Sequence, residues 1–118
     1  MNRRHFLKST AAALGATMAP ALVRAEEPIK IGVLLPFSKA FALLGENTFA
    51  GFTLGTKEVG GEIAGRKYTI VKEDDTADPS VGVSKLRKLI DKDEVDVIVG
   101  TIHSGVAAAI RNPIVDAK

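Results

Sequence analysis

Ile29-Lys30-Ile31-Gly32-Val33-Leu34-Leu35, closed by Pro36, is the stretch on which the fold turns. Its near-continuous apolarity departs from the alternation of a half-solvated strand, so it reads as a strand covered on both faces, as in the middle of a parallel sheet. Downstream, residues 45–59 read as a helix with Phe49, Phe52 and Val59 along one side and Gly51 and Gly55 as points of close approach. Gly60-Gly61 stops it. Residues 67–74 alternate around Tyr68 and Ile70 and form a second strand. Asp78-Pro79 then supplies an N-cap and a first-turn proline for a helix running to about Asp91, with Val81, Val83, Leu86, Leu89 and Ile90 near helical spacing. Residues 95–99 are a short third strand. Residues 104–117 form a third helix whose end is weakened by Pro113. This alternation predicts an α/β fold, a parallel sheet with flanking helices, right-handed crossovers and the spatial strand order 2-1-3. The third strand's outer edge finds no partner in the sequence, so the chain is expected to be the opening portion of a larger protein.

Composition narrows the function classes. The chain has 118 residues, 46% hydrophobic and 25% charged, with no cysteine and a formal charge of +2. That excludes a disulfide-stapled miniprotein, a cysteine-ligated metal site and a disordered charged tail. Residues 1–25 hold Arg3, Arg4, Lys8 and Arg24 and no acidic residue, so removing them turns the charge from +2 to −2. Nucleic-acid binding thereby loses its compositional support. The charged start Asn2-Arg3-Arg4-His5-Phe6-Leu7-Lys8, a mild alanine-rich run and Val23-Arg24-Ala25 instead read as a cleaved export signal spanning residues 1–25. Its paired arginines resemble the twin-arginine type. The apolar run falls short of the ~20 residues of a spanning helix. No cysteine follows the cut, so a free periplasmic protein without a lipid anchor is expected, with residues 26–118 as its folded part.

Motifs then exclude several chemistries. Residues 60–67, Gly60-Gly61-Glu62-Ile63-Ala64-Gly65-Arg66-Lys67, imitate a phosphate loop, but Arg66 stands where the lysine belongs and the stretch lies between helix and strand; it is a turn. No Gly-x-Gly-x-x-Gly follows the first strand, which removes dinucleotide binding. Thr101-Ile102-His103-Ser104-Gly105 places a serine at a strand-to-helix turn, yet Ile102 occupies the position of the first glycine of a hydrolase elbow, and neighbouring His103 and Ser104 side chains diverge. No catalytic residue, cofactor or metal is therefore expected; His103 is the only histidine after residue 25. Glu73-Asp74-Asp75 reads as a solvated strand end. What remains is an anion seat: Ser104 capping the third helix, with free N–H groups at Gly105 and Val106, at the carboxyl end of a parallel strand where open α/β sheets bind ligands.

Pro28 to Pro36, Leu44-Gly45-Glu46, residues 60–67, Glu73-Asp74-Asp75 with Asp78-Pro79, and Val97-Ile98-Val99-Gly100 with Ser104 occur in the order found in periplasmic substrate-binding proteins of the leucine/isoleucine/valine-binding type. The chain resembles that family from Ile29 onward. The resemblance implies a two-lobe fold that closes around a small solute and delivers it to the membrane permease of an ABC importer. This chain would form the first part of the N-terminal lobe, with the C-terminal lobe needed for closure. It also implies that Ser104 holds a ligand carboxylate and that Leu44 and Ile102 line the pocket. His103, read from its place in the turn and not from the resemblance, either contacts the ligand or stands at the pocket edge. Ser38-Lys39-Ala40 replaces the family's usual Ser-Gly-Pro, and Leu44 stands where amino-acid binders commonly carry an aromatic residue. The expected ligand is a small organic carboxylate: a branched-chain or other amino acid, or an aromatic acid. The alternatives are a ligand sensor of the same fold and, from a different class, a serine hydrolase.

Overall fold

In the computed structural model, which describes residues 26–117, β1 (Ile29–Leu35) is paired on both sides. The chain continues through a 3-10 turn (Lys39–Phe41), α1 (Ala42–Glu58), β2 (Glu62–Ile63), β3 (Arg66–Asp74), α2 (Pro79–Arg87), β4 (Val97–Gly100) and α3 (Ser104–Asp116). The export segment of residues 1–25 lies outside the described residues. The sheet order is β2-β3-β1-β4, with β1 parallel to both β3 and β4. Its three parallel strands thus follow the order read from the sequence.

The apolar run of β1 is explained by two separate cores. Leu34 points to the face covered by α2 and α3, where it joins Leu86, Leu89, Val106 and Ile110. Ile31, Val33 and Leu35 point to the other face, against Phe49 and Phe52 of α1 together with Tyr68, Ile70 and Val99. Strand side chains alternate between faces, and only a central strand needs apolar residues on both. At the entry of the strands the backbone N–H of Lys30 donates to Asp96 Oδ2 at 2.8 Å, and the Asp96 N–H returns to the Lys30 carbonyl at 2.8 Å. Together these bonds extend the β1/β4 pairing beyond β4 itself.

Several local expectations need correction. Residues 60–67 do more than turn: Glu62–Ile63 pairs antiparallel with Arg66–Lys67, adding a fourth strand. Ala64 and Gly65 both have positive φ, 52° and 75°, which is the geometry of a two-residue hairpin matched to strand twist. Val59 was placed on the buried side of the first helix but is 65% exposed, because α1 has already ended at Glu58. α2 stops at Arg87 and passes into a widened π segment, Lys88–Lys92, in which the Asp93 N–H reaches back to the Lys88 carbonyl.

Most significant is the acidic run. Read as solvated, it is largely withdrawn from water: Glu73 is 9% and Asp75 0% exposed. Glu73 bridges Lys85 at 2.9 Å and Lys88, which in turn reaches Asp93 at 2.8 Å. Burial pushes the Glu73 carboxyl up, but the Lys88 and Lys85 ammonium groups override it and hold it below the usual carboxylate range.

Glycine at position 45 is a packing requirement. A Cβ there would overlap the Pro36 carbonyl oxygen, so α1 can start against the end of β1 only without one. Gly51, in the same helix, has nothing within 4 Å of its Cβ position. Gly45→Ala is expected to lower stability by ~2 kcal/mol or more, whereas Gly51→Ala raises it by ~0.5–1 kcal/mol; urea denaturation of the two variants checks the contrast.

Candidate functional site

The carboxyl ends of β1, β3 and β4 lead into three loops that meet. Each loop is held by a side-chain acceptor. Asp74 Oδ1 accepts from the N–H of Phe37 and of Thr76, both at 2.8 Å. Asp75 Oδ1 accepts from the Ala77 N–H at 2.8 Å, and its Oδ2 accepts from the Thr101 hydroxyl at 2.5 Å. The Asp75 N–H donates to the Leu35 carbonyl, while its own carbonyl accepts from Asp78. One residue thus joins the end of β1, the start of α2 and the turn between β4 and α3. Thr76 and Ala77 have positive φ, 51° and 56°. Left-handed backbone of this kind costs ~1–2 kcal/mol per residue, which the two carboxylate acceptors offset.

The same bonds set the charge state of Asp74. Burial pushes its carboxyl up, but bonds from the Ser38 hydroxyl and the Phe37 and Thr76 N–H groups outweigh this and hold it below the usual range. Asp78 accepts from the N–H of Ser80 at 2.8 Å and of Val81 at 3.1 Å, forming the helix cap its sequence predicts.

Ser104 is the first residue of α3, and the N-cap position belongs to His103, which makes no side-chain cap bond. The expectation that Ser104 caps the helix is therefore corrected. A residue already in helical conformation points its side chain away from the N2 and N3 amides. The first intrahelical bond runs from the Ala107 N–H to the His103 carbonyl, so the N–H groups of Ser104, Gly105 and Val106 precede it. The exposed Ser104 hydroxyl stands beside these donors. Val106 contributes only its backbone, since its side chain is fully buried and packs 2.5 Å from the Cβ position of Gly82 in α2.

Apolar walls adjoin this turn. Ile102 is half-buried and packs on the α1-side core, and Leu44 is 52% exposed in the first turn of α1. The two elements are brought together by Phe41, whose ring meets the His103 imidazole edge to face with centroids 5.9 Å apart. No hydrogen bond joins His103 to Ser104 among the described residues, which leaves a serine nucleophile without its base. Nor do the described residues contain a cluster of three or more metal-ligating side chains. Sequence reasoning took Asp75 for a solvated strand-end residue and gave no role to Thr101 or the Phe41 contact. Only the spacing of a second carboxylate after the strand end hinted at Asp75.

A concavity of 390 Å³ lies elsewhere, along the outer edge of β4, lined by Ile90, Val95, Val97, Ile98 and Ile114. It sits toward the opposite end of α3 from Ser104, with Asp96 the charged residue in its lining.

This arrangement is that of an open α/β sheet whose loops converge at the carboxyl ends of its parallel strands, the edge at which folds of this class bind their ligands. Residues 28–118 match the periplasmic binding protein family, and the chain belongs to it, in the type I group that includes the Leu/Ile/Val-binding proteins. It is 35% identical over 108 residues to a Leu/Ile/Val-binding protein homolog of Brucella suis, covering 90% of this chain and 26% of that protein. An ABC transporter substrate-binding protein from Sphaerobacter thermophilus superposes with a TM-score of 0.74 at 38% identity, over 77% of this chain and 24% of the other. An R. palustris ABC transporter solute-binding protein in complex with benzoate gives 0.71 at 39% identity, over 74% and 24%. The chain therefore spans about a quarter of the length of these relatives. The family consists of ABC-transporter substrate-binding proteins, not enzymes.

Two outcomes follow from the loop geometry. Asp75→Ala is expected to cost roughly 2–4 kcal/mol by leaving the Thr101 hydroxyl and the Ala77 N–H unpaired. Thr101→Val in the Asp75→Ala background should cost less than in the parent, a coupling of ~1 kcal/mol or more in a denaturant double-mutant cycle. Asp74 and Glu73 have folded-state values below their unfolded ones, so their stabilisation is complete above about pH 5 and is lost as pH falls through the lowered values. Unfolding midpoints should accordingly fall below ~pH 4.5, and Glu73→Gln should flatten that acid limb.

Proposed function

We propose that this chain forms the opening part of the N-terminal lobe of an extracytoplasmic solute-binding protein that captures a small organic carboxylate for an ABC importer. The supporting observation is the set of donors at the start of α3, with the Ser104 hydroxyl and the N–H groups of Gly105 and Val106 at the carboxyl end of a parallel sheet. Leu44, Ile102 and Phe41 offer the neighbouring apolar surface. The export signal read in residues 1–25 and the absence of a cysteine after it fit a free periplasmic protein, with a membrane permease as its partner.

Among carboxylates, an aromatic acid fits this half of the site better than an aliphatic amino acid. Asp74 and Asp75, the carboxylates at the loop cluster, already accept bonds from Phe37, Thr76, Ala77 and Thr101. Asp75 is fully buried, and both carboxylates are engaged in fastening loops, so neither is well placed to meet an ammonium group. The exposed Phe41 ring edge and the apolar Leu44 suit a flat ring, and the R. palustris relative was solved with benzoate.

A single lobe cannot hold such a ligand tightly. Micromolar affinity requires about 8 kcal/mol, whereas a helix terminus supplies ~0.3–1 kcal/mol, or about 2 when partly buried. Closure by a second lobe must supply the rest.

In the full protein encoded by its gene, titration calorimetry should show benzoate binding more tightly than isoleucine. Ser104→Ala should weaken benzoate binding by ~10-fold or more. Unchanged affinity for every carboxylate tested in Ser104→Ala would overturn the carboxylate seat, and tighter binding of isoleucine would overturn the aromatic preference.

A further inference from the structure

His103 holds an imidazole whose two nitrogens face different surroundings. Nδ1 is shut off from solvent and has no hydrogen-bond partner among the described residues. It lies 3.1 Å, and Cε1 2.9 Å, from the point a Cβ on residue 105 would occupy. Only glycine there leaves room for the ring. On another side the ring is braced by Phe41, edge to face at 74°. The imidazole is thus wedged between α1's approach and the first turn of α3, with Nδ1 turned toward that turn.

A neutral imidazole carries one N–H, and its surroundings decide which nitrogen bears it. A proton on Nδ1 would be a buried donor without an acceptor, placed against the positive end of the α3 dipole. A lone pair on Nδ1 meets the same end favourably. We propose that His103 is held as the Nε2–H tautomer and that this N–H is a further donor to the ligand's carboxylate, adjacent to Ser104, making His103 a specificity-determining residue for the seat. The inference rests on the carboxylate-binding reading above. It assigns the imidazole a donor role that neither Ser104 nor the helix amides can replace, because its orientation is fixed by Phe41 and Gly105.

The test pairs a spectroscopic readout with substitutions in the full protein. Long-range ¹H–¹⁵N correlation of the histidine rings, with His103→Gln to assign the signals, should show the proton on Nε2 in the presence of benzoate; a proton on Nδ1 overturns the proposal. His103→Phe keeps a ring between Phe41 and Gly105 without a donor, and should bind benzoate ~10–100-fold more weakly. His103→Gln places an amide N–H near the Nε2 position and should retain most of the affinity, whereas His103→Asn, which mimics Nδ1, should not. Parent-like binding by His103→Phe, or rescue by Asn but not Gln, overturns the donor role. Should His103→Phe fail to fold, the Gln/Asn comparison and the tautomer still decide. If Ser104→Ala weakens binding and His103→Phe does not, the seat stands and this inference falls. If neither weakens it, the carboxylate-binding reading itself fails.

Discussion

The carboxylate of Asp75 is out of contact with water, and the geometry of the loops at the carboxyl end of the sheet depends on it. A buried carboxylate is costly unless its lone pairs are met by donors. Here the donors come from two places far apart in sequence, the Ala77 N–H of its own loop and the Thr101 hydroxyl of the turn into α3. Removing either leaves an unmet polar group in a site that cannot readily hydrate. The arrangement therefore fixes the loop after β3 and the turn carrying Ile102, His103 and Ser104 in one relation, while the backbone of Asp75 anchors both to Leu35.

Asp74 and Glu73 divide the remaining work of the acidic run. Asp74 turns toward the Phe37 and Thr76 amides and fastens the segment that leads into α1. Glu73 lies on the α2 side, between Lys85 and Lys88, and ties β3 to the helix and its π extension. Three consecutive carboxylates thus face three different sets of partners, and among the described residues they form no metal-ligating cluster. The acids at the carboxyl end of the sheet are thereby engaged in holding its loops.

The architecture was legible because it rests on local patterns. The two-faced apolarity of β1, the Asp78-Pro79 helix start and the glycine stop at residues 60 and 61 each signal one element without reference to distant residues. The hairpin strand at Glu62–Ile63 escaped because two residues are too few to show a period, though Ala64-Gly65 carried the turn signal. The acidic run was misread for a different reason. Whether a carboxylate is solvated depends on donors brought by other elements, and the Thr101 hydroxyl and the Lys85 and Lys88 ammonium groups are 26, 12 and 15 residues away in the chain. At the turn into α3, the start of the helix was legible from the strand-to-helix pattern, and the first intrahelical bond begins there, from the Ala107 N–H to the His103 carbonyl. The cap was not, since one residue's difference in where helical dihedrals begin moved that position from Ser104 to His103.

That displacement has a chemical consequence. A capping serine spends its oxygen on the helix amides, as an acceptor, and competes with any anion for the same N–H groups. A serine at the first helical position leaves those amides open and its hydroxyl free to donate beside them. His103, at the cap position, cannot replace the serine as cap because its Nδ1 makes no bond to the amides and its ring is wedged against Gly105. Among the described residues, no side chain caps the first amides of α3. The proposed capture of a ring-borne carboxylate rests on that feature: the open amides would meet its anionic end, and Leu44 and Phe41 its apolar one.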